Sequence, residues 1–368
     1  MQEQSVLKME EQAVFALRSL YRKFGYAQYK MSRFEEYDLY VRNKDFLVSD
    51  EVITFTDHSG RLLALKPDVT LSIIKNTEER PGTVQKVYYN ENVFRVAKGT
   101  HTFKEIMQAG LECIGDIGSY ETAEVVLLAV RSLSLLSKDY MLDLSHMGLL
   151  SAILEQSGLS DRGQQQALDL IHQKNGHELK GLLAREGVTG QILPALVECC
   201  GTPQQVLPII KPLLNGPTQQ AAFDEFEGLC NLLTQQGYGD KLRVDFSVGN
   251  DMKYYSGVVF KGYLDGIPTG VLSGGRYDKL LHKLGRKGGA IGFAVYLDLL
   301  ERLAREESEY DVDILLLYRP DTQPGVLLAK VEELSQQGSV RAALCRPEDL
   351  KYRRLVELEG SGNNENDG

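Results

Sequence analysis

Hydrophobic positions recur at helical spacing over residues 6–24, "VLKMEEQAVFALRSLYRKF", where Val6, Met9, Ala13, Leu17 and Leu20 share one face and Gly25 follows as a stop. The spacing predicts an amphipathic helix. The pattern then turns β-rich in "YAQYKMSRFEEY", "EVITFTDHSGRLLALKPD" and "TVQKVYYNENVFRV", with "DHSG" as a turn between strands. "FKEIMQAGLECIGD" reads as a further strand, "YETAEVVLLAVRSLSLL" as a helix, and "YMLDLSHMGLLSAILEQSG" as strand, turn and helix. Between about 155 and 235, short helical segments separated by Gly and Pro predict a helical insertion. Strands resume at "LRVDFSV" and "YYSGVVFKGYL", followed by the Gly-rich "SGGRY" and a last helix, "AVYLDLLERLAREE". From Tyr310, "DVDILLLY", a helix at 324–337 and "VRAALC" predict a small β-α-β unit.

These elements predict an α+β fold: an antiparallel sheet flanked by helices over 1–309, with the insertion at 155–235, and a small α/β unit over 310–358. The Gly/Asn/acid-rich end, 359–368, is predicted to be disordered. Composition adds little to that outline: 368 residues suffice for two or three domains, and 43% hydrophobic with 25% charged residues is ordinary for a globular protein. The net charge of −10 argues against a broad nucleic-acid footprint. Five cysteines without CxxC spacing suggest neither a disulfide framework nor a zinc site, and point to reduced thiols in a cytoplasm. The polar start predicts no secretory leader, and no apolar run is long enough to predict a membrane span.

Four groups carry candidate chemistry. In "LALKPDVT", Pro67 fixes a turn that presents Asp68 and Thr70 together; capping of a helix near Leu71 explains them equally well. Arg95 ends "FRV", and Gln108, Gly110 and Glu112 share one strand face. An amide, a bare backbone and a carboxylate make a poor core face and a reasonable pocket floor. Tyr254 and Tyr255 form a tyrosine pair, and Gly274 and Gly275 in "SGGRY" let a ligand approach the backbone closely. Singly, each has a bland explanation as a surface, turn or half-buried strand residue. Their order along one sheet is the stronger signal.

In that order the chain resembles the catalytic core of class II histidyl-tRNA synthetases over roughly residues 5–305. The matching pieces are "FGYAQYKMSRFEEYDLY", "ITFTDHSGRLLALKPDVT", "VYYNENVFRVAKG…QAGLECIG", "YYSGVVF" and "SGGRYDKLLHKLG…AIGFAVYLDLL". The resemblance implies that Asp68 and Thr70 hold a histidine α-amino group and that Gln108 lies near the carboxylate. It also implies that Glu112 and Tyr254 bond the two imidazole nitrogens, and that Arg95 is the arginine that meets an α-phosphate in an active synthetase.

The departures lie at the nucleotide chemistry. Where the synthetases carry a Glu-Arg pair at the end of their third motif, this chain has Asp298 and Leu299. Asn250 stands where an arginine usually precedes the tyrosine pair, and Lys253 where an aspartate is usual. The loop "AKGTHTFKE" lacks the synthetase arginines and keeps Lys98 and Lys104. Removing one preorganised donor from such a transition state costs roughly 3–4 kcal/mol, or about 10² to 10³ in rate. The unit after Tyr310 is also small for an anticodon-binding domain.

A histidine-shaped pocket without adenylation chemistry is similar to the regulatory subunits of ATP phosphoribosyltransferase. That resemblance implies a non-catalytic subunit, without cofactor or metal, required by the short-form catalytic subunit and mediating inhibition by L-histidine. It further implies a hetero-octamer built on synthetase-like dimers, with no tRNA and no membrane as partners. The histidine site this resemblance implies comprises Asp68, Thr70, Arg95, Gln108, Glu112, Tyr254, Tyr255 and Gly275. A divergent, active histidyl-tRNA synthetase and a stand-alone amino-acid-binding or interaction module are the alternatives.

Overall fold

Strands β5 (Val84–Val96) and β6 (Phe103–Gly115) pair antiparallel over their whole lengths and form the longest ladder of a computed structural model describing residues 7–43, 52–78, 82–97, 100–249, 254–303 and 310–358. The chain divides into two compact units, Met1–Leu303 and Ala304–Gly368; the expected boundary was 309/310.

In the first unit the amphipathic pattern at the start forms α1 (Met9–Lys23), with the Glu11 carboxylate accepting the Lys8 N–H at 2.9 Å and Gly25 at φ +83° beyond its end. β1 (Ala27–Gln28) follows. β2 (Phe34–Glu36), β3 (Thr54–Thr56) and β4 (Leu62–Leu65) form a small antiparallel sheet, with α2 (Tyr37–Val41) between the first two. The "DHSG" turn joins β3 to β4, its Asp57 carboxylate accepting the Ser59 and Arg61 amides. α3 (Thr70–Asn76) leads into β5. After β6 come α4 (Ser119–Leu136), β7 (Tyr140–His146) and α5 (Met147–Glu155). The turn expected between β7 and α5 is absent: His146 ends the strand and caps the helix, Nδ1 accepting the Leu149 N–H at 3.0 Å.

The insertion consists of α6 (Asp161–His172), α7 (Gly176–Arg185), α8 (Ile192–Glu198), a short strand β8 (Cys200–Gly201), α9 (Pro203–Ile210) and α10 (Pro217–Leu233). Its apolar residues Leu168, Leu182, Phe223 and Phe226 belong to the main core, so it packs as part of this unit. Then follow β9 (Leu242–Asp245), β10 (Val258–Leu264), β11 (Leu272–Arg276), α11 (Asp278–Lys283) and β12 (Gly289–Tyr296). Among the described residues the large sheet has nine strands in the order β1-β5-β6-β12-β11-β10-β7-β9-β8.

The sheet is mixed, which corrects the antiparallel expectation: β1 runs parallel to β5, and β9 parallel to β7. Long crossovers return the chain in the same direction at both positions, the second through the helical insertion. "SGG" is mid-sheet strand, and the stretch expected to begin the last helix continues β12 to Tyr296 before a 3₁₀ turn at Leu297–Leu303.

The pleat sorts the central strands onto two faces. Leu111, Cys113, Phe260 and Phe293 point toward α1 and α4, whose Leu17, Tyr21, Val126, Ala129 and Leu133 complete a buried layer. Tyr21 meets Phe293 edge-on at 6.0 Å. The opposite face carries Tyr89, Gln108, Gly110, Glu112, Ser273, Gly275, Gly292, Ala294 and Tyr296 in cross-strand register. α3 and α11 cover one end of that face and leave the rest as a cavity floor.

The second unit has β13 (Val312–Leu317), α12 (Pro324–Ser335), β14 (Val340–Ala343) and β15 (Tyr352–Glu357) in a parallel sheet ordered β14-β13-β15. The last strand, which begins at Tyr352 within "KYRR", extends the expected β-α-β unit. Ile314, Leu316 and Leu334 form its small core. The expected disorder of 359–368 lies outside the described residues. Among the described residues no helix is long and apolar enough to cross a membrane.

Candidate functional site

The uncovered end of the sheet floors a cavity of about 400 Å³, within the range of small-molecule sites. Of the expected residues, Asp68, Thr70, Arg95, Gln108, Glu112, Tyr254 and Tyr255 line it. Gly275 does not. A Cβ there would lie 2.7 Å from the Tyr255 ring, so this glycine seats the tyrosine. Gly274 contributes backbone to the cavity, and its missing side chain leaves room for Phe260 and Phe293 on the far face. The tyrosine pair precedes β10, with ring centroids 4.7 Å apart and edge-on. Asn250, Lys253 and Lys98 lie outside the described residues, and Lys104 is exposed at the start of β6.

Glu112 is the centre of the site. It is only 2% exposed; Oε1 accepts the Thr70 hydroxyl at 2.7 Å and Oε2 accepts the Tyr277 hydroxyl. Burial pushes its carboxyl up to about 8, against the pull of those two donors, and nearby Asp68 adds to the rise. Asp68 is also raised, first by burial; the Leu71 amide, 2.9 Å from Oδ1, and the Arg95 guanidinium act against this. Asp68 therefore accepts an amide of the first turn of α3 and lines the cavity at once.

Burial holds the Tyr89, Tyr254 and Tyr277 phenols well above their ordinary range, which leaves them neutral donors and acceptors at neutral pH. Tyr254 hydrogen-bonds with Thr70 and packs 5.5 Å from the Tyr277 ring. Arg95 donates Nε to the Pro67 carbonyl at 3.1 Å and is the one cation among the described residues lining the cavity.

Tyr89, Ser273, Tyr277, Gly292 and Tyr296 belong to the site without having been singled out from the sequence. Period-two alternation from Ser273 through Gly275 to Tyr277 was the available signal for Tyr277. Ser273 and Tyr296 pair their hydroxyls at 2.9 Å on the floor. At the departures, Leu299 is half-buried and packs against the main core, while Asp298 is exposed. The cavity thus offers two carboxyls, an amide, several phenols and one guanidinium, a set suited to a small zwitterion with a polar ring.

The raised Glu112 carboxyl has a consequence for stability. The folded protein keeps a proton up to about pH 8 that the unfolded chain releases near 4.5. This group's contribution is full below that lower value, declines as pH rises toward 8 and is flat above. Glu112→Gln, which mimics the protonated form, is expected to lose less melting temperature than the unaltered chain between pH 5 and pH 8. Calorimetry at the two pH values checks this; equal losses would contradict it.

Fold and pocket together define a class II synthetase-like protein, and the comparisons agree. The family model described as histidyl-tRNA synthetase matches residues 4–300. An ATP phosphoribosyltransferase regulatory subunit from Clostridium novyi is 30% identical over 77% of this chain and 69% of its own length. An ATP phosphoribosyltransferase regulatory subunit/histidyl-tRNA synthetase from Bacillus halodurans superposes with a TM-score of 0.77 at 21% identity, covering 96% of this chain and 94% of that one. A chain of the ATP phosphoribosyl transferase (HisG:HisZ) complex from Thermotoga maritima gives 0.63 at 18% identity, covering 77% and 96%. This chain belongs to the histidyl-tRNA synthetase family and, within it, to the ATP phosphoribosyltransferase regulatory subunits.

Proposed function

We propose that this regulatory subunit senses L-histidine in the cavity above β6, is required for activity of a short-form catalytic subunit, and transmits feedback inhibition to it. The observation that carries this reading is Glu112, buried between two hydroxyl donors and beside Asp68, in a cavity with one guanidinium among its described lining residues. Asp68 suits an ammonium group, Arg95 and Gln108 a carboxylate, and Glu112 with Tyr254 a ring bearing one donor and one acceptor nitrogen.

Adenylation is not part of the proposed function. Leu299 supplies no charge to a phosphate, and its packing into the core gives it a structural task instead. The similarity to a chain in a two-component phosphoribosyltransferase complex supports assembly with a catalytic partner. The proposed assembly is a hetero-octamer of synthetase-like dimers, in a cytoplasm consistent with five free cysteines and without tRNA. Histidine acts there as an effector whose unequal affinity for two states of the assembly shifts their populations.

Titration calorimetry with L-histidine, run beside histidine-dependent pyrophosphate exchange, tests the reading. Saturable binding with exchange at background is the expected pair of results. No binding at millimolar histidine removes the sensor, and exchange at a synthetase's rate restores the active-enzyme alternative.

A further inference from the structure

Lys66 precedes the recognition turn and does not line the cavity, yet its side chain is completely buried. Its ammonium donates to Glu91 Oε2 at 2.6 Å, and Glu91 sits on β5 directly opposite Gln108 of the cavity floor. We propose that the Lys66–Glu91 pair is the positioning device that holds the Pro67–Thr70 turn against the sheet and thereby sets the affinity of the cavity for its ligand. The proposal rests on the histidine-sensor reading for the identity of that ligand.

The turn carries two of the ligand-facing groups, Asp68 and Thr70, and lies between β4 and α3. Its backbone meets β5 twice: the Phe94 N–H donates to the Lys66 carbonyl at 2.9 Å, and Arg95 Nε donates to the Pro67 carbonyl. Behind it, the Lys66 N–H donates to the Arg33 carbonyl at 3.0 Å, tying the turn to the small sheet. These bonds hold the turn against residues 94 and 95 of β5. The ion pair adds a second anchor, at Glu91, three residues earlier on the same strand.

Lys66 is buried while Glu91 keeps part of its side chain exposed; an ion pair with a buried member is weak evidence for stability, and its best-attested use is to specify one arrangement. Burial lowers the Lys66 ammonium below its ordinary value, while the Glu91 contact acts against this. Thr70 is the link to the chemistry, because its hydroxyl holds Glu112 at 2.7 Å. A turn that slips along β5 opens that bond and moves Asp68 with it.

The test compares the unaltered chain with Lys66→Met/Glu91→Gln, which removes the pair without leaving a buried charge. Two quantities are read: hydrogen exchange of the Leu71 amide, which is donated to Asp68, and the dissociation constant for L-histidine. The proposal expects exchange over 67–74 to quicken at least tenfold and histidine to bind at least tenfold more weakly, with melting temperature and exchange in α4 unchanged. Unchanged exchange over 67–74 overturns it, and so does a uniform rise that includes α4, since the pair would then be a general stabiliser. If the double variant does not fold, Glu91→Asp, which keeps both charges but shortens the reach of the carboxylate to Lys66, decides by the same two readouts. Should the unaltered chain bind no histidine, the sensor reading falls, while the exchange comparison still decides the positioning role.

Discussion

Glu112→Gln is expected to weaken L-histidine binding by about a hundredfold or more while leaving the fold intact, a loss of roughly 3 kcal/mol, at the upper end for a hydrogen bond to a charged group. The amide fills the same volume, and its oxygen still accepts from Thr70 or Tyr277, so both hydroxyls keep a partner. What changes is the group turned toward the ligand. A carboxylate accepts a ring N–H at either oxygen, whereas the amide presents donors at one end and leaves a donor facing a donor. Binding also competes with the proton Glu112 holds up to about pH 8, so affinity in the unaltered protein should rise between pH 6 and pH 8. Calorimetry at pH 7 on both proteins checks the main effect. An affinity within threefold of the unaltered value would place the ring-recognising group elsewhere.

Gly292→Ala should be the most damaging small substitution in the site. Gly292 lies directly opposite Glu112 in the β6–β12 ladder, and a Cβ there would overlap Glu112 Oε2 and sit 2.5 Å from the Leu111 carbonyl. Neither can step aside easily: the carboxylate is held by two hydroxyls, and the carbonyl is backbone at the centre of a sheet. Overpacking of this kind costs typically 1–3 kcal/mol and here is expected at about 3 or above. The melting temperature should fall by several degrees and histidine binding should disappear. Gly190→Ala, where nothing lies within 4 Å of the added carbon, is the matched control and should shift stability by no more than about 0.5 kcal/mol. Equal melting temperatures for the two variants would show that the floor relaxes around the extra methyl.

What the sequence disclosed divides along the range of the interactions involved. α1, α4 and the separate strands β5 and β6 were legible because their patterns lie within one segment, and the shared face of Gln108, Gly110 and Glu112 followed from alternation alone. Seven of the eight expected site residues line one cavity. Tyr277 and Gly292 escaped because their meaning depends on register between distant strands: Gly292 matters through Glu112, 180 positions earlier, and Tyr277 through the same carboxylate. Gly275 was misread for the same reason, since the ring it accommodates reaches it from another segment. The parallel pairings of β1 and β9 depend on where long crossovers return, and local pattern carries no information about that. "AVYLDLL" kept its strand to Tyr296 because β6 pairs beside it, a tertiary contact that overrides helical propensity.

The proposed role of this pocket is to control a partner's chemistry and to perform none of its own. Its most direct test is the phosphoribosyltransferase activity of a short-form catalytic chain, assayed with and without this protein across a histidine titration. The expected results are little turnover from the catalytic chain by itself, strong activation on mixing, and a decline as histidine rises that Glu112→Gln shifts to far higher concentration. A catalytic chain equally active by itself, or a mixture indifferent to histidine, would contradict it.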